Sequence, residues 1–367
     1  MSEQPPISQS PTRSDTCEED VRESASGSQQ EPSKSARIVH LFLIPLAVVV
    51  LLVTVVLVFG YVGHWGQSPR DHVEQLRNPS RVAWQSAASL AQMLREPGHA
   101  QHRRDRQLAR DLAAVLEDHL EVAATDDQHV NLRIFLCRAL GEFEVVDGLP
   151  ALLTAAATEH DPREVPVRLA ALEAIAVLVH RLGPDVAVTR PELLNTLVAA
   201  AQETSAGGRG GHERELLRER AAYALGTLGT EASLEQLAGM LNDPYPNVAF
   251  NAATGLARHG DRRAIAVLLQ MLDAHNPATV AGESDDEGAR NRKRTTVLVN
   301  ALRACRQLVA RHPQTDFPRL AEAVERLTTA QVDVAVRLEA QAVLNELKSR
   351  ILANELRGVG WSDGVGE

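Results

Sequence analysis

His99 and His102 stand three residues apart, a spacing that places two imidazoles on one helix face, as metal ligands are placed. Pro97-Gly98 precedes them, and no carboxylate or third histidine keeps a fixed distance to the pair, so they read as surface histidines. Gly207-Gly208-Arg209-Gly210-Gly211 has the glycine density of a phosphate-binding loop. It lacks the Gly-Lys-Ser/Thr ending and a preceding strand, so it reads as a flexible connection. No Gly-x-Ser-x-Gly occurs to hold a serine nucleophile. The three cysteines, Cys17, Cys137 and Cys305, have neither the number nor the spacing of a disulfide framework or a metal site. Cys137 and Cys305 fall within helical patterns and read as small buried thiols.

What is left is contact chemistry. Arg290 to Arg294 contributes four cations that could meet anionic lipid or an acidic partner. The run Glu283 to Glu287 lies just before it and balances it, so the plainer reading is a solvated loop. Glu235, Gln236, Arg262, Arg263 and Gln270 are polar residues interleaved with leucines at helical spacing. They are the candidate partner-contacting residues. No residue is assigned to catalysis, to a metal or to a cofactor.

The elements that must position these residues divide sharply. Between Arg37 and Arg70 there is no Asp, Glu, Lys or Arg, and Ile38 to Tyr61 is almost wholly apolar. About 20 apolar residues in a helix cross a hydrocarbon core of about 30 Å, so residues 38–62 are expected to form one transmembrane helix. The run is too long for a signal-peptide core, and Gly60 to Trp65 offers no Ala-x-Ala cleavage site. Tyr61 and Trp65 fall where aromatic rings favour a membrane interface. Residues 1–37 are polar, without an aromatic residue, and are expected to be a disordered tail. Lys34 and Arg37 lie nearer the apolar core than Arg77 and Arg81, and Asp71 sits beside Arg70. This asymmetry favours a cytoplasmic tail and a large domain on the other side.

Beyond a juxtamembrane linker, residues 63–79, the chain is rich in Ala, Leu and Val and poor in aromatics (3% overall). Such a composition suits packed helices better than a β-sandwich. The formal charge is -10, most of it beyond residue 62, which speaks against a nucleic-acid partner. Residues 220–243 and 251–273 repeat one another at an offset of 31 residues. Ala221-Ala222 falls on Ala252-Ala253, Leu225 on Leu256, Gly229 on Gly260 and Leu241 on Leu272. Each unit reads as helix, glycine stop, helix. Further copies start near Arg81, Leu132, Val167, Thr296 and Val336. Asp161-Pro162 and Asp243-Pro244 read as capped helix starts. Loops are expected near 203–213 and 274–294, with a flexible tail at 357–367.

These units resemble the HEAT-repeat family, especially its short bacterial form, the phycobilisome-lyase HEAT-like repeat. Asp161 with Val167-Arg168, Asp333 with Val336-Arg337, and the Gly260-Asp261 turn carry the resemblance. Asn247-Val248-Ala249 lacks the arginine and Gly229-Thr230 the aspartate, which interrupts any Asp–Arg ladder. The apolar segment followed by Arg81 to Leu94 also looks like bacterial single-pass membrane proteins that carry such repeats. The resemblance implies an all-α solenoid of six or seven helical hairpins over residues 80–356. It also implies a non-catalytic scaffold that binds protein partners at the inner (plasma) membrane. An alternative is a subunit or regulator of a transport or secretion complex; a bilin-lyase-like enzyme is a weaker one. No cofactor is expected.

Overall fold

The computed structural model describes residues 44–64 and 69–359, except 79, 123, 184 and 205–210. The expected tail 1–37, residues 38–43, and 360–367 of the C-terminal tail lie outside the described residues. The chain divides into two units, Met1–Gly66 and Gln67–Glu367.

The first unit contains α1 (Ile44–His64). Its described side chains run from Leu46 to Val56, and its large aliphatics, Leu51 and Val56 among them, are exposed. No helix among the described residues is long and apolar enough to cross a membrane. The predicted span 38–62 reaches past that described stretch at both ends.

Every regular element among the described residues of the second unit is a helix, and the order is α2 (Pro69–Leu76), α3 (Arg81–Arg95), α4 (Ala100–Arg103), α5 (Arg106–Val122), α6 (Asp127–Gly141), α7 (Leu149–Ala157), α8 (Val165–Leu182), α9 (Asp185–Thr189), α10 (Pro191–Ala201), α11 (Gly211–Leu228), α12 (Glu231–Met240), α13 (Pro246–Arg258), α14 (Ile265–Met271), α15 (Glu287–Arg311), α16 (Pro318–Thr329) and α17 (Val334–Val359). Two layers result. The first helices stack in succession, α3 on α6, then α8, α11, α13, α15 and α17. The second helices follow beside them, with α5 on α7, α7 on α10 and α14 on α16. Each second helix also packs on the first helix that follows it, so one hydrophobic core runs through the stack. A lone helix pair leaves its apolar stripe in water; stacking removes it. This is the repeated packing of an α-solenoid.

The glycine stops behave as the sequence implies. Gly229 and Gly260 have φ of 66° and 82°, a left-handed conformation that side chains resist. Asp161 closes a capping box with Glu164, as expected of a capped start. Asp243 differs. Its carboxylate accepts from Tyr245 N at 2.9 Å, but the helix begins only at Pro246, where the second proline fits the first turn.

Three segments assigned as linker, loop or tail turn out to be helical. Within the linker 63–79, α2 buries Val73 and Leu76 against α3 and α5, and His119 Nε2 donates to Leu76 O at 2.9 Å. Residues 274–294 are not one mobile loop. Pro277–Val280 forms a 3-10 turn with Thr279 and Val280 buried, and α15 already begins at Glu287, capped by Asp286. The basic run therefore lies on a helix, because Arg and Lys are good helix formers and the acidic run supplies the cap. At the end of the chain α17 continues to Val359, past the expected start of the tail at 357. In 203–213, residues 205–210 lie outside the described residues and helix resumes at Gly211.

Candidate functional site

The five candidate residues fall on one stretch of the second-helix layer. Glu235 and Gln236 sit mid-way along α12; Arg262 and Arg263 lie in the 3-10 turn that opens the next second helix; Gln270 is near the end of α14. All are at least partly exposed. The structure joins two of them: Arg263 Nη1 donates to Glu235 Oε1 and Oε2 at 2.8 and 3.0 Å, bridging successive repeats. Arg263 also grips Asp261, whose carboxylate caps the turn by accepting from Arg263 N at 2.9 Å. That guanidinium holds the Asp261 carboxyl below its ordinary range. Arg262 instead lies over the Phe317 ring at 5.8 Å. Gln236 and Gln270 stand apart from this cluster.

A second set of charges was only half visible in the sequence. Arg133, Arg168 and Arg218 lie in the first halves of α6, α8 and α11 and are 0%, 6% and 8% exposed. Each ties the loop before its own helix to the loop after its hairpin. Arg133 donates to Ala124 O at 2.5 Å and to Glu164 Oε1 at 2.6 Å. Arg168 donates to Ala156 O at 2.9 Å and to Glu203 Oε1 at 2.6 Å, with Glu159 shared between it and Arg214. Arg218 donates to Glu203 O at 3.0 Å and to both carboxylate oxygens of Asp243. The ladder stops at Ala249, where the repeat loses its arginine. At Arg337 only the carbonyl half persists, to Val332 O at 2.7 Å. The Val167-Arg168 motif marked one rung. Leu132-Arg133 and Leu217-Arg218 carry the same apolar–Arg signal.

A third cluster fills the α6–α7 turn, where each of three carboxylates takes two arginines. Glu142 binds Arg95 and Arg181, Glu144 binds Arg103 and Arg104, and Asp147 binds Arg106 and Arg110. Hydrogen bonds from Arg103 and Arg104 hold the Glu144 carboxyl below the usual range, and those from Arg106 and then Arg110 do so for Asp147. Arg214, then Arg168, does the same for Glu159. Groups whose pKa is depressed on folding stabilise the fold above their unfolded pKa of about 4 and lose that contribution as pH falls through the folded value. The melting temperature is therefore expected to hold from neutral pH down to about pH 5 and to fall steeply below about pH 4. Calorimetry across that range reads the effect, and Asp147→Asn should flatten the acid limb. An unchanged limb in that variant would count against the arginine clamp.

The remaining chemical candidates resolve into structure. The His99 and His102 rings stack at 5.9 Å, and no cluster of three metal-ligating side chains occurs among the described residues. Cys137 and Cys305 are buried, and loss of solvation pushes both thiols up to about 12, so they are held as unreactive thiols. Arg292 and Arg294 line an open groove of about 620 Å³ with Thr295, Gln331 and Asp333. Arg290 and Arg292 face Asp285 and Asp286, the balancing charges the sequence shows.

Stacked hairpins tied together by inter-repeat ion pairs define a helical-repeat protein whose surface offers contacts. Within it, residues 208–284 match the family of HEAT repeats. That segment holds α11 to α14 and all five candidate residues. No curated protein matches the chain.

Proposed function

We propose that the protein is a non-catalytic HEAT-repeat scaffold, held at a membrane by residues 38–62, that binds a protein partner. The observation that carries this reading is the charged edge formed by Glu235, Arg262 and Arg263 on successive second helices of the segment that matches HEAT repeats. HEAT repeats generally mediate protein–protein contact, and stacked repeats build extended binding surfaces. The apolar run before the domain supplies the anchor, as a single-pass segment of the inner membrane. The charge asymmetry around it favours the repeat domain on the non-cytoplasmic side.

The test is crosslinking and affinity purification of the full chain from native membranes, with three variants. Arg263→Glu leaves Glu235 facing a like charge. The double variant Glu235→Arg with Arg263→Glu restores the inter-repeat pair with reversed sign but loses the Arg263 contact to Asp261, so circular dichroism must first show that the edge keeps its fold while presenting the wrong charges. Arg262→Glu removes the neighbouring cation. The double variant is expected to recover the partner at least about tenfold less well than wild type, as loss of an interface anchor does. Equal recovery by wild type and the double variant overturns the assignment of this edge. Release of the protein by alkaline carbonate overturns the anchor, and a reporter fused at Glu367 reads the side.

A further inference from the structure

The arginine ladder has one rung that the fold sets up and does not make. Arg133, Arg168 and Arg218 share a packing register: each is followed by buried residues three, four and seven positions further on. After Arg168 these are Ala171, Leu172 and Ile175. Such steps keep to one face of a helix. Arg294 stands in the same register on α15, where Val297, Leu298 and Ala301 are buried. It is therefore the rung arginine of its repeat, one repeat beyond Ala249, where the arginine is lost.

Both halves of this rung go elsewhere. A complete rung takes a backbone carbonyl from the loop before its helix and a carboxylate from the loop after its hairpin. The carbonyl before α15, Ala281 O, accepts from Lys293 Nζ instead. The loop after the hairpin carries an acid, Asp333, whose carboxylate accepts from Ala335 N at 2.8 Å and makes no ion pair with Arg294. Arg294 Nη1 donates to Asn291 Oδ1 at 2.9 Å, and its Nε is buried with no hydrogen-bond partner among the described residues. Instead of meeting, the guanidinium and residues 331–333 both line the open groove of about 620 Å³.

We propose that this groove binds an acidic segment of a protein partner, with one glutamate or aspartate side chain completing the rung on Arg294. The site lies outside the Glu235–Arg263 edge and does not rest on it. What selects a carboxylate is the ladder itself, since Glu164, Glu203 and Asp243 take that place on Arg133, Arg168 and Arg218. The guanidinium fork matches the two oxygens of a carboxylate. A buried donor without a partner costs free energy, so pairing it gains more than pairing a solvated arginine. The charges lining the groove suit a single negative charge: Arg292 and Arg294 supply two cations and Asp333 one anion. Arg292 lies 3.9 Å from its nearest acid, Asp286, beyond hydrogen-bond distance. Arg290 and Lys293 are already engaged, with Asp285 and Ala281 O. A doubly charged phosphoryl group would leave one charge uncompensated beside Asp333. Leu298 and Val332 complete the lining and suit aliphatic neighbours of the acid.

The proposal is tested by fluorescence anisotropy on the full-length protein in detergent. The probes are a short labelled peptide with one glutamate between aliphatic residues and the same peptide with glutamine in its place. The glutamate probe is expected to bind with a Kd of about 100 μM or tighter, and the glutamine probe at least about tenfold more weakly. Arg294→Gln should weaken the glutamate probe at least about tenfold, and so should Gln331→Glu, which sets a like charge on the groove wall. Circular dichroism and the melting temperature should stay those of wild type; Gln331 is exposed, so its variant decides the matter if Arg294→Gln melts early. Arg262→Glu, on the other edge, should leave binding unchanged. No binding of the glutamate probe at about 1 mM overturns the proposal. So does equal binding of the two probes, or wild-type binding by a folded groove variant. A loss in Arg262→Glu equal to that in Arg294→Gln overturns the location. Displacement of the probe by inorganic phosphate at micromolar concentration assigns the groove to a phosphoryl ligand and overturns the carboxylate.

Discussion

Replacing Arg133 by methionine is expected to cost about 3–5 kcal/mol of stability, the loss that follows when one partner of a buried ion pair is removed. Its side chain is 0% exposed and that of Glu164 3%, with Nη1 and Oε1 at 2.6 Å. Burial alone pushes the Glu164 carboxyl up. The His160 N–H and the Arg133 guanidinium outweigh it and hold the carboxyl below its ordinary range. Methionine replaces much of the hydrocarbon volume, so the loss is electrostatic rather than a cavity. A buried carboxylate loses its counter-charge, and Ala124 O loses its side-chain donor. The second half of the test is Glu164→Gln in the same background. It removes the stranded charge while its amide oxygen can still accept from His160 and Asp161, so the double variant should recover more than half of the loss. Urea and thermal unfolding read both, and because a repeat array opens in sections, the transition of the N-terminal repeats is the one that moves. A single-variant loss below about 1 kcal/mol would mean that water reaches the pair and that it is worth no more than a surface bridge.

The contrast between that pair and the glycine stops shows what the sequence could tell. Gly229 and Gly260 were legible because the constraint is local: an apolar helix face ends and only a residue tolerant of positive φ turns the chain. The 31-residue offset was legible for the same reason, since each repeat buries the same positions. Arg133 and Glu164 were not paired by any local signal; stacking of α6 on α8 brings them together. The clamped turn is harder still. Glu144 meets arginines about 40 residues upstream across two intervening helices, α5 and α6, at a spacing no motif records. The start of α15 is hidden in the sequence for another reason. Charge density in 283–294 reads as solvated loop, but solvation and helix are compatible, and the Asp286 cap was the better clue. Among the candidate contact residues, the sequence placed Glu235 and Arg263 on neighbouring units. Their ion pair depends on the lateral fit of those units, which only the fold defines.

Gly226→Ala and Gly239→Ala should change stability in opposite directions, although helix propensity favours alanine over glycine at both by about 1 kcal/mol. Gly239 lies on α12 with open space where a methyl would go, so the substitution should stabilise by about 0.5–1 kcal/mol. Gly226 faces Gly255 where α11 crosses α13, and a Cβ on Gly226 would stand 2.8 Å from the Gly255 Cα. A Cβ on Gly255 would stand 2.9 Å from the Gly226 Cα. Both obstacles are backbone, so no rotamer relieves them. The helices must move apart, and the separation spreads to contacts that hold the same crossing. Arg258 Nη1 and His259 Nε2 donate to Gly226 O at 3.1 and 3.0 Å, and a Cβ on Gly255 would also stand 3.1 Å from Leu237 Cδ1. Overpacking of this kind costs about 1–3 kcal/mol, enough to reverse the propensity gain. Gly226→Leu should exceed that range and unstack the repeats on either side. Thermal unfolding of the variants side by side separates the effects, because the propensity term is shared and only the packing term differs. Stabilisation by alanine at both sites would mean that α11 and α13 do not close to glycine contact, and that the first-helix layer is looser than the ion-pair ladder requires.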